Sequence, residues 1–367
     1  MTNLAKAHWR SFYVMARLSG RVIVMAVTAT IVGLGALPEV CWASPAHIAP
    51  HFSSLGTGFR YGLPHQIEEG GLRFADQTIP ISRRDVRERI LEEINYLLLD
   101  RRSRVLLWLS RADYFKPVVS PVLRKYKVPP ELLLLAAIES SFDPRALSSA
   151  GAYGYWQFIK ATALCGPSGC DEYDWKMKIT PWKDERADLV RSSHSAARYL
   201  AWLYRVRKVN IDHEKPRDGF RDWLLTTASY NAGPARVIQR MNLFGASSYW
   251  DVALPIETEK YVPRLIALWI ISTNRKFYDV QVHSQRTISF DTLTGVRLAK
   301  DLPFATIAKL LGTTPRSVWE LNAQISPYKA VFPARSGKAA ISHTIRVPKG
   351  EGEKFRTQLK ARGYVRK

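Results

Sequence analysis

Glu139 closes an uninterrupted apolar run, Leu132 to Ile138, after which the chain turns to Ser, Gly and aromatic residues as far as Phe158. A carboxyl at the end of an apolar helix is partly desolvated, which raises its pKa toward the range where it keeps a proton at neutral pH. Such a group can give that proton to a leaving oxygen. On this feature alone, an ordinary solvated helix end is the plainer alternative. Cys165 and Cys170 are the second candidate for chemistry, bracketing Gly166-Pro167-Ser168-Gly169. In an oxidising compartment the pair closes a small disulfide; in the cytosol it is two thiols or half of a metal site, and no second pair completes a zinc site.

The elements that position these groups read as helices. Pro129-Pro130 starts the helix that ends at Glu139, since proline in a first turn loses no hydrogen bond. Upstream, Ser82 is expected to open a helix with Asp85 in a capping-box position, and Val86, Ile90, Ile94 and Leu97 follow at helical spacing. A second helix is expected over residues 103–112. Further helices are expected over 155–163, 193–207, 221–230, 234–241 and 258–273, with Asn231-Ala232-Gly233-Pro234 ending one and starting the next. Residues 80–278 therefore read as one mainly α domain, with Lys208 to Asp218 a charged surface insertion. Residues 46–78, rich in Gly, Pro, His and Ser, read as linker. After Tyr278, "VQVHSQRTISFDT" has strand character, "PFATIAKLLGTTPRSVWELNAQI" two short helices, and "HTIRVPKG" a closing strand, so residues 285–367 form a small separate α+β module.

The 367 residues, 46% hydrophobic and 23% charged, suffice for a full core in two or three domains and exclude a disordered chain. The 54 Lys and Arg against 32 Asp and Glu give +22, which favours a polyanionic partner. Charge does not choose among nucleic acid, anionic lipid and an acidic polymer. Lys6, Arg10, Arg17 and Arg21 precede an apolar stretch from Val22 to Leu37, with Cys41-Trp42-Ala43 at signal-peptidase spacing. Residues 1–43 therefore read as an export signal, and 44–79 as the linker behind it. A retained segment would instead anchor the chain to a membrane. Either way the chain is expected in the periplasm or cell envelope, and an exported chain is not a nucleic-acid binder.

Four ordered motifs sharpen this reading. Glu139-Ser140, Asp143-Pro144, Ala146, Ser148, Gly151-Ala152, Gly154 and Trp156-Gln157-Phe158 resemble the catalytic motif of lytic transglycosylases with a goose-type lysozyme fold. "TTASYNAGPARV" resembles their second motif and "LPIETEKYVPRLIAL" their third. "DERADLVRSSHSAARYL" resembles a stretch of the membrane-bound lytic murein transglycosylase D family. The C-terminal module is similar to a degenerate LysM domain.

The resemblance implies a lysozyme-like helical catalytic domain followed by a LysM-like wall-binding module. It also implies non-hydrolytic cleavage of the β-1,4 bond between N-acetylmuramic acid and N-acetylglucosamine in peptidoglycan, without cofactor or metal. Glu139 is then acid first and base second. Ser148 and Gln157 match groove residues near the cut sugar, and Gly151 and Gly154 match positions of close backbone approach. Tyr230 matches the tyrosine beside the acid, its hydroxyl directed at Glu139 or at the sugar's acetamido group, and Asn231 ties the turn that follows. Glu257 and Tyr261 match the third motif and close the site from the far side, although Glu257 in a first helical turn also fits a plain dipole role. Tyr155 departs from the aliphatic residue usual at its position. A lysozyme-like hydrolase on the same fold needs a second carboxylate, for which Glu131, Asp143 and Glu257 are the candidates. A non-catalytic wall-binding protein would have no use for Glu139.

Overall fold

The computed structural model describes residues 13–18, 21–26, 60–165, 176–205, 220–282, 286–337 and 339–365. The β-branched residues Val14, Val22, Ile23 and Val24 fall in two strands, β1 (Tyr13–Leu18) and β2 (Arg21–Ala26), which pair antiparallel. They belong to a unit, Met1–Gly58, separate from the unit Phe59–Lys367. The rest of the expected signal, residues 44–59 of the expected linker, and the insertion Lys208 to Asp218 lie outside the described residues. Among the described residues no helix is long and apolar enough to cross a membrane.

The second unit begins inside the stretch expected to be linker. Helix α1 (His65–Gly70) and the hairpin of β3 (Leu72–Phe74) with β4 (Gln77–Ile79) bury Ile67, Leu72, Phe74 and Ile79 in the main core. Strands of three residues and a six-residue helix are too short to display a period, so they read as loop. Helix α2 (Arg84–Asn95) buries Val86, Ile90 and Ile94 as the spacing predicts. Its expected cap is not used: Arg83 precedes the helix, and Asp85 accepts from the Arg83 guanidinium at 2.8 Å. A wider turn over Tyr96–Asp100 leads to α3 (Arg102–Lys125), more than twice the expected length. Pro117 and Pro121 sit inside it, and the burial of Phe115, Val119 and Leu123 on either side outweighs the lost backbone bonds.

A 3-10 turn, Pro130–Leu133, feeds α4 (Leu134–Ser140), which ends at the candidate acid. Helix α5 (Lys160–Cys165) starts five residues later than expected, because residues 154–157 form a turn with Gln157 at φ +50°, closed by a bridge between Tyr153 and Phe158. Then come α6 (Leu189–Arg205), α7 (Trp223–Ala232, capped by Asp222), α8 (Pro234–Phe244) and α9 (Ile256–Thr273). Helix α9 runs through the centre of the helical core, packed on α2, α4 and α7, with Val262, Leu265, Ile266, Ala267, Leu268, Ile270 and Ile271 inaccessible to solvent.

The C-terminal part has its own small core. Strand β5 (Phe290–Arg297) starts ten residues into the segment read as strand, while Val280 and Ile288 upstream are buried in the main core. Next follow β6 (Leu302–Pro303), α10 (Phe304–Leu311), α11 (Pro315–Leu321), β7 (Val331–Phe332), β8 (Arg335–Ser336), β9 (Ala339–Ala340) and β10 (Ser342–Pro348). Strand β10 pairs antiparallel with β5. An unforeseen helix, α12 (Gly352–Ala361), lays Phe355 and Leu359 against Ile345, Val347 and Phe304. The fold is mainly α with a small α+β region at the C-terminus, as expected.

Candidate active site

Residues Leu134 to Ala137 are buried, so α4 enters the core and delivers Glu139 at its last turn. The chain reverses at once: Ser141 and Phe142 are both left-handed, at φ 55° and 54°. Their N–H groups donate back to Ala137 at 2.8 Å and Ala136 at 3.1 Å. Left-handed backbone costs roughly 1–2 kcal/mol per residue, and neighbouring side chains hold it in place. Trp108 Nε1 donates to Ser141 Oγ at 2.7 Å, Arg111 to the Ser141 carbonyl at 2.6 Å, and Ser140 Oγ to the Tyr155 carbonyl at 2.7 Å. The reversal fixes where the acid points.

Glu139 is half-buried as a residue, so its carboxyl keeps an opening while being largely dehydrated. Burial pushes its pKa up to about 7; a hydrogen bond from Tyr261 opposes the rise, and the negative charge of Glu257 adds to it. The Tyr261 hydroxyl donates to Glu139 Oε1 at 2.5 Å. Tyr261 is buried on α9, and burial together with the charge of Glu139 raises its own pKa, so it stays a donor. The Tyr230 hydroxyl goes elsewhere, donating to the Trp156 carbonyl at 2.7 Å. The tyrosine bonded to the acid is therefore Tyr261 rather than Tyr230. Asn231, at the end of α7, donates to Glu257 Oε1 at 3.1 Å and accepts from Thr258 Oγ1 at 2.7 Å. It thus ties α7 to the first turn of α9 and brings exposed Glu257 into the field of the acid.

The loop after the acid spends its polar groups on itself. Ser148 Oγ accepts from the Ala152 N–H at 3.1 Å, and Gln157 Nε2 donates to the carbonyls of Ala146 at 2.9 Å and Gly154 at 3.0 Å. Both residues, expected against sugar, brace the loop with these atoms. Gly154 does mark a close approach, but by protein: at φ +81°, an added Cβ would lie 2.1 Å from the Arg186 carbonyl oxygen. At Gly151 the left-handed φ of +77° is the only demand, with open space around it. Tyr155 is buried with its ring 5.6 Å from Phe115, so it packs the core behind the loop.

Arg186 lies in a quoted motif that gives it no role, and the structure shows it bracing the loop. Its guanidinium pairs with Asp184 at 2.7 Å and donates to the carbonyls of Gly151 and Phe158, both at 3.1 Å. One buried cation thereby ties the middle of the loop to its far end. The signal was the Asp184-Glu185-Arg186 run, whose residue types were legible and whose target was not. Of the other carboxylates, Asp143 accepts from the Arg145 N–H at 2.8 Å, and Glu131 lies half-buried on the turn before α4. Among the described residues no cluster of His, Cys, Asp and Glu could hold a metal. Cys165 is disulfide-bonded, and Cys170, the partner expected from the spacing, lies outside the described residues.

A half-open, dehydrated carboxyl that keeps its proton near neutrality, on a mostly helical frame, is suited to general-acid chemistry. The family model of the transglycosylase SLT domain matches residues 121–252, so this stretch carries an SLT domain, the lytic-transglycosylase type that the motifs resemble. The chain is 32% identical over 219 residues to membrane-bound lytic murein transglycosylase D of Escherichia coli (strain K12), covering 59% of this chain and 43% of that one. It is 30% identical over 139 residues to a putative tributyltin chloride resistance protein of Alteromonas sp. (strain M-1), covering 37% of this chain and 57% of that protein. The chain thus spans less than half the length of the E. coli enzyme. Among solved structures, the 70 kDa soluble lytic transglycosylase of E. coli aligns over 46% of this chain and 26% of its own, at 18% identity and a TM-score of 0.28.

Proposed function

We propose that this chain is a peptidoglycan lytic transglycosylase of the cell envelope. The observation that carries the reading is the carboxyl of Glu139, which lies within the stretch matched by the SLT model, is raised to about 7 by burial and is held by Tyr261 from α9 just beyond that stretch. Most glycosidases work with two carboxylates, one of them a nucleophile or base. Here one side chain does both jobs in turn. Protonated Glu139 gives its proton to the oxygen of the β-1,4 bond between N-acetylmuramic acid and N-acetylglucosamine, and the muramyl 2-acetamido group stabilises the positive charge developing at C1. The resulting Glu139 carboxylate then removes the proton from the same sugar's O6, which closes on C1 as a 1,6-anhydro ring.

A pKa near the working pH suits a group that must donate and then accept. Tyr261 stabilises the carboxylate in the intermediate stage, and the negative charge of Glu257 favours reprotonation. A wall-binding contribution from residues 285–367, like the export signal over 1–43, belongs to the same reading. Binding of the full chain to purified sacculi tests the former.

The deciding experiment is mass spectrometry of purified sacculi digested by the full chain. Anhydromuramoyl ends are expected, and Glu139→Gln abolishes them while leaving the chain folded. Reducing ends, heavier by one water, would replace this mechanism by hydrolysis.

A further inference from the structure

Asp188 and Arg346 meet in the interior although 158 residues separate them. Two hydrogen bonds join them, at 3.0 and 2.8 Å, and each side chain is only 6% exposed. A buried bidentate pair resists separation, because losing one partner strands the other charge in a dry environment. Arg346 lies on β10 of the C-terminal module, where Asn322 donates to its carbonyl at 2.7 Å and accepts from its N–H at 2.9 Å. Asp188 caps α6, accepting from the Arg191 N–H at 2.9 Å, and ends the strap 182–188 that contains Arg186.

We propose that the C-terminal module is a positioning part of the catalytic unit: its docked face holds the strap 182–188, and the strap fixes the loop 146–158 behind Glu139. The strap is gripped from both sides. On the module side, Lys183 pairs antiparallel with Ile325, the Asp184 N–H donates to the Gln324 carbonyl at 2.8 Å, and the Ser326 N–H donates to the Trp182 carbonyl at 3.0 Å. The Trp182 ring lies 5.3 Å from His343 on β10. On the loop side are the Arg186 clamp and its contact with Gly154. Arg145, beside the loop, adds a direct link, its guanidinium 5.5 Å from the Trp319 ring of α11. The segment joining the two cores is itself anchored: Val280 and Ile288 are buried, and the Ile288 N–H donates to the Tyr114 carbonyl at 3.0 Å. A module serving only to tether the chain to a distant wall would need none of these bonds.

What the loop serves rests on the transglycosylase reading, so the test includes a measurement that needs no substrate. Arg346→Met in the full chain keeps the side-chain bulk and removes the charge. Amide exchange over residues 146–158 is expected to speed up about tenfold or more, alongside exchange over 182–188. On soluble glycan strands kcat is expected to fall about tenfold or more with KM nearly unchanged, as for a misplaced acid rather than lost binding. Lys349→Ala, which breaks only the exposed pair with Asp291 in the same module, is expected to change neither. Should Arg346→Met fail to fold, Trp182→Ala loosens the strap without stranding a charge and is expected to show the same two effects. Exchange over 146–158 that stays at the wild-type rate while 182–188 opens, or kcat within about twofold of wild type, would overturn the proposal. Faster exchange in the variant, with no anhydro product even from wild type, would instead overturn the transglycosylase reading and leave the positioning role standing.

Discussion

Glu139→Gln tests the dehydrated acid through stability alone. The carboxyl titrates at about 7 in the folded chain against an ordinary 4.5, so between those pH values the folded state holds a proton that the unfolded state has released. Stability associated with this group is therefore fully present below 4.5 and is lost as pH rises through about 7. At about 1.4 kcal/mol per pH unit, the displacement amounts to about 3 kcal/mol at pH 8.5. That is an upper figure, because the half-buried residue keeps some solvent contact. Glutamine resembles the protonated acid in shape and carries no charge at any pH. The variant is expected to match wild type near pH 4 and to exceed it by up to about 3 kcal/mol at pH 8.5, or roughly 6 °C in melting temperature. Thermal unfolding of both proteins across pH 4 to 9 supplies the comparison. A melting difference that does not change with pH would mean that the carboxyl is hydrated in the fold, and the proton-donor role would go with it.

Tyr261→Phe removes the hydrogen bond that holds the Glu139 pKa down, so the alkaline limb of the pH–rate profile is expected to move to higher pH while kcat falls about tenfold; a limb that moves down or stays put refutes this assignment. Gly154→Ala is expected to destabilise by roughly 3 kcal/mol or more, since its Cβ meets the Arg186 backbone. Gly151→Ala, with open space around it, is expected to cost only about 1 kcal/mol. Denaturant unfolding of the two glycine variants side by side checks the contrast.

What the sequence made legible was local. The apolar spacing on α2, the proline at the start of the turn before α4 and the Gly-Pro boundary between α7 and α8 all depend on residues within two turns of each other, and the structure has them where they were expected. The illegible features depend on distant partners. Asp85 does not cap α2, because Arg83 takes its carboxylate while also reaching Asp251 at 2.7 Å, 168 residues away. Helix α3 runs through two prolines because its neighbours bury the apolar face. The same division holds at the site. Glu139, Tyr230 and Tyr261 were all recognisable, yet which tyrosine bonds the acid depends on how α7 and α9 pack against α4, a matter of tertiary contact rather than of spacing. Asp188 and Arg346 carry no signal at all, since nothing in spacing or type joins them.

The inward bonding of Ser148, Gln157 and Gly154 has a consequence for how a single acid can work. A carboxyl that donates and later accepts needs the same geometry at two moments, with a charge present at one and absent at the other. A loop held by hydrogen bonds to sugar would change its support as the sugar moved from glycoside to anhydro ring. On the proposed mechanism, a loop braced by its own amides and by Arg186 would keep the Ser140 to Tyr155 contact through both steps. Preorganised support of this kind requires no rearrangement at the moment of reaction. It follows that loosening the loop should slow turnover even where every group facing the sugar is intact.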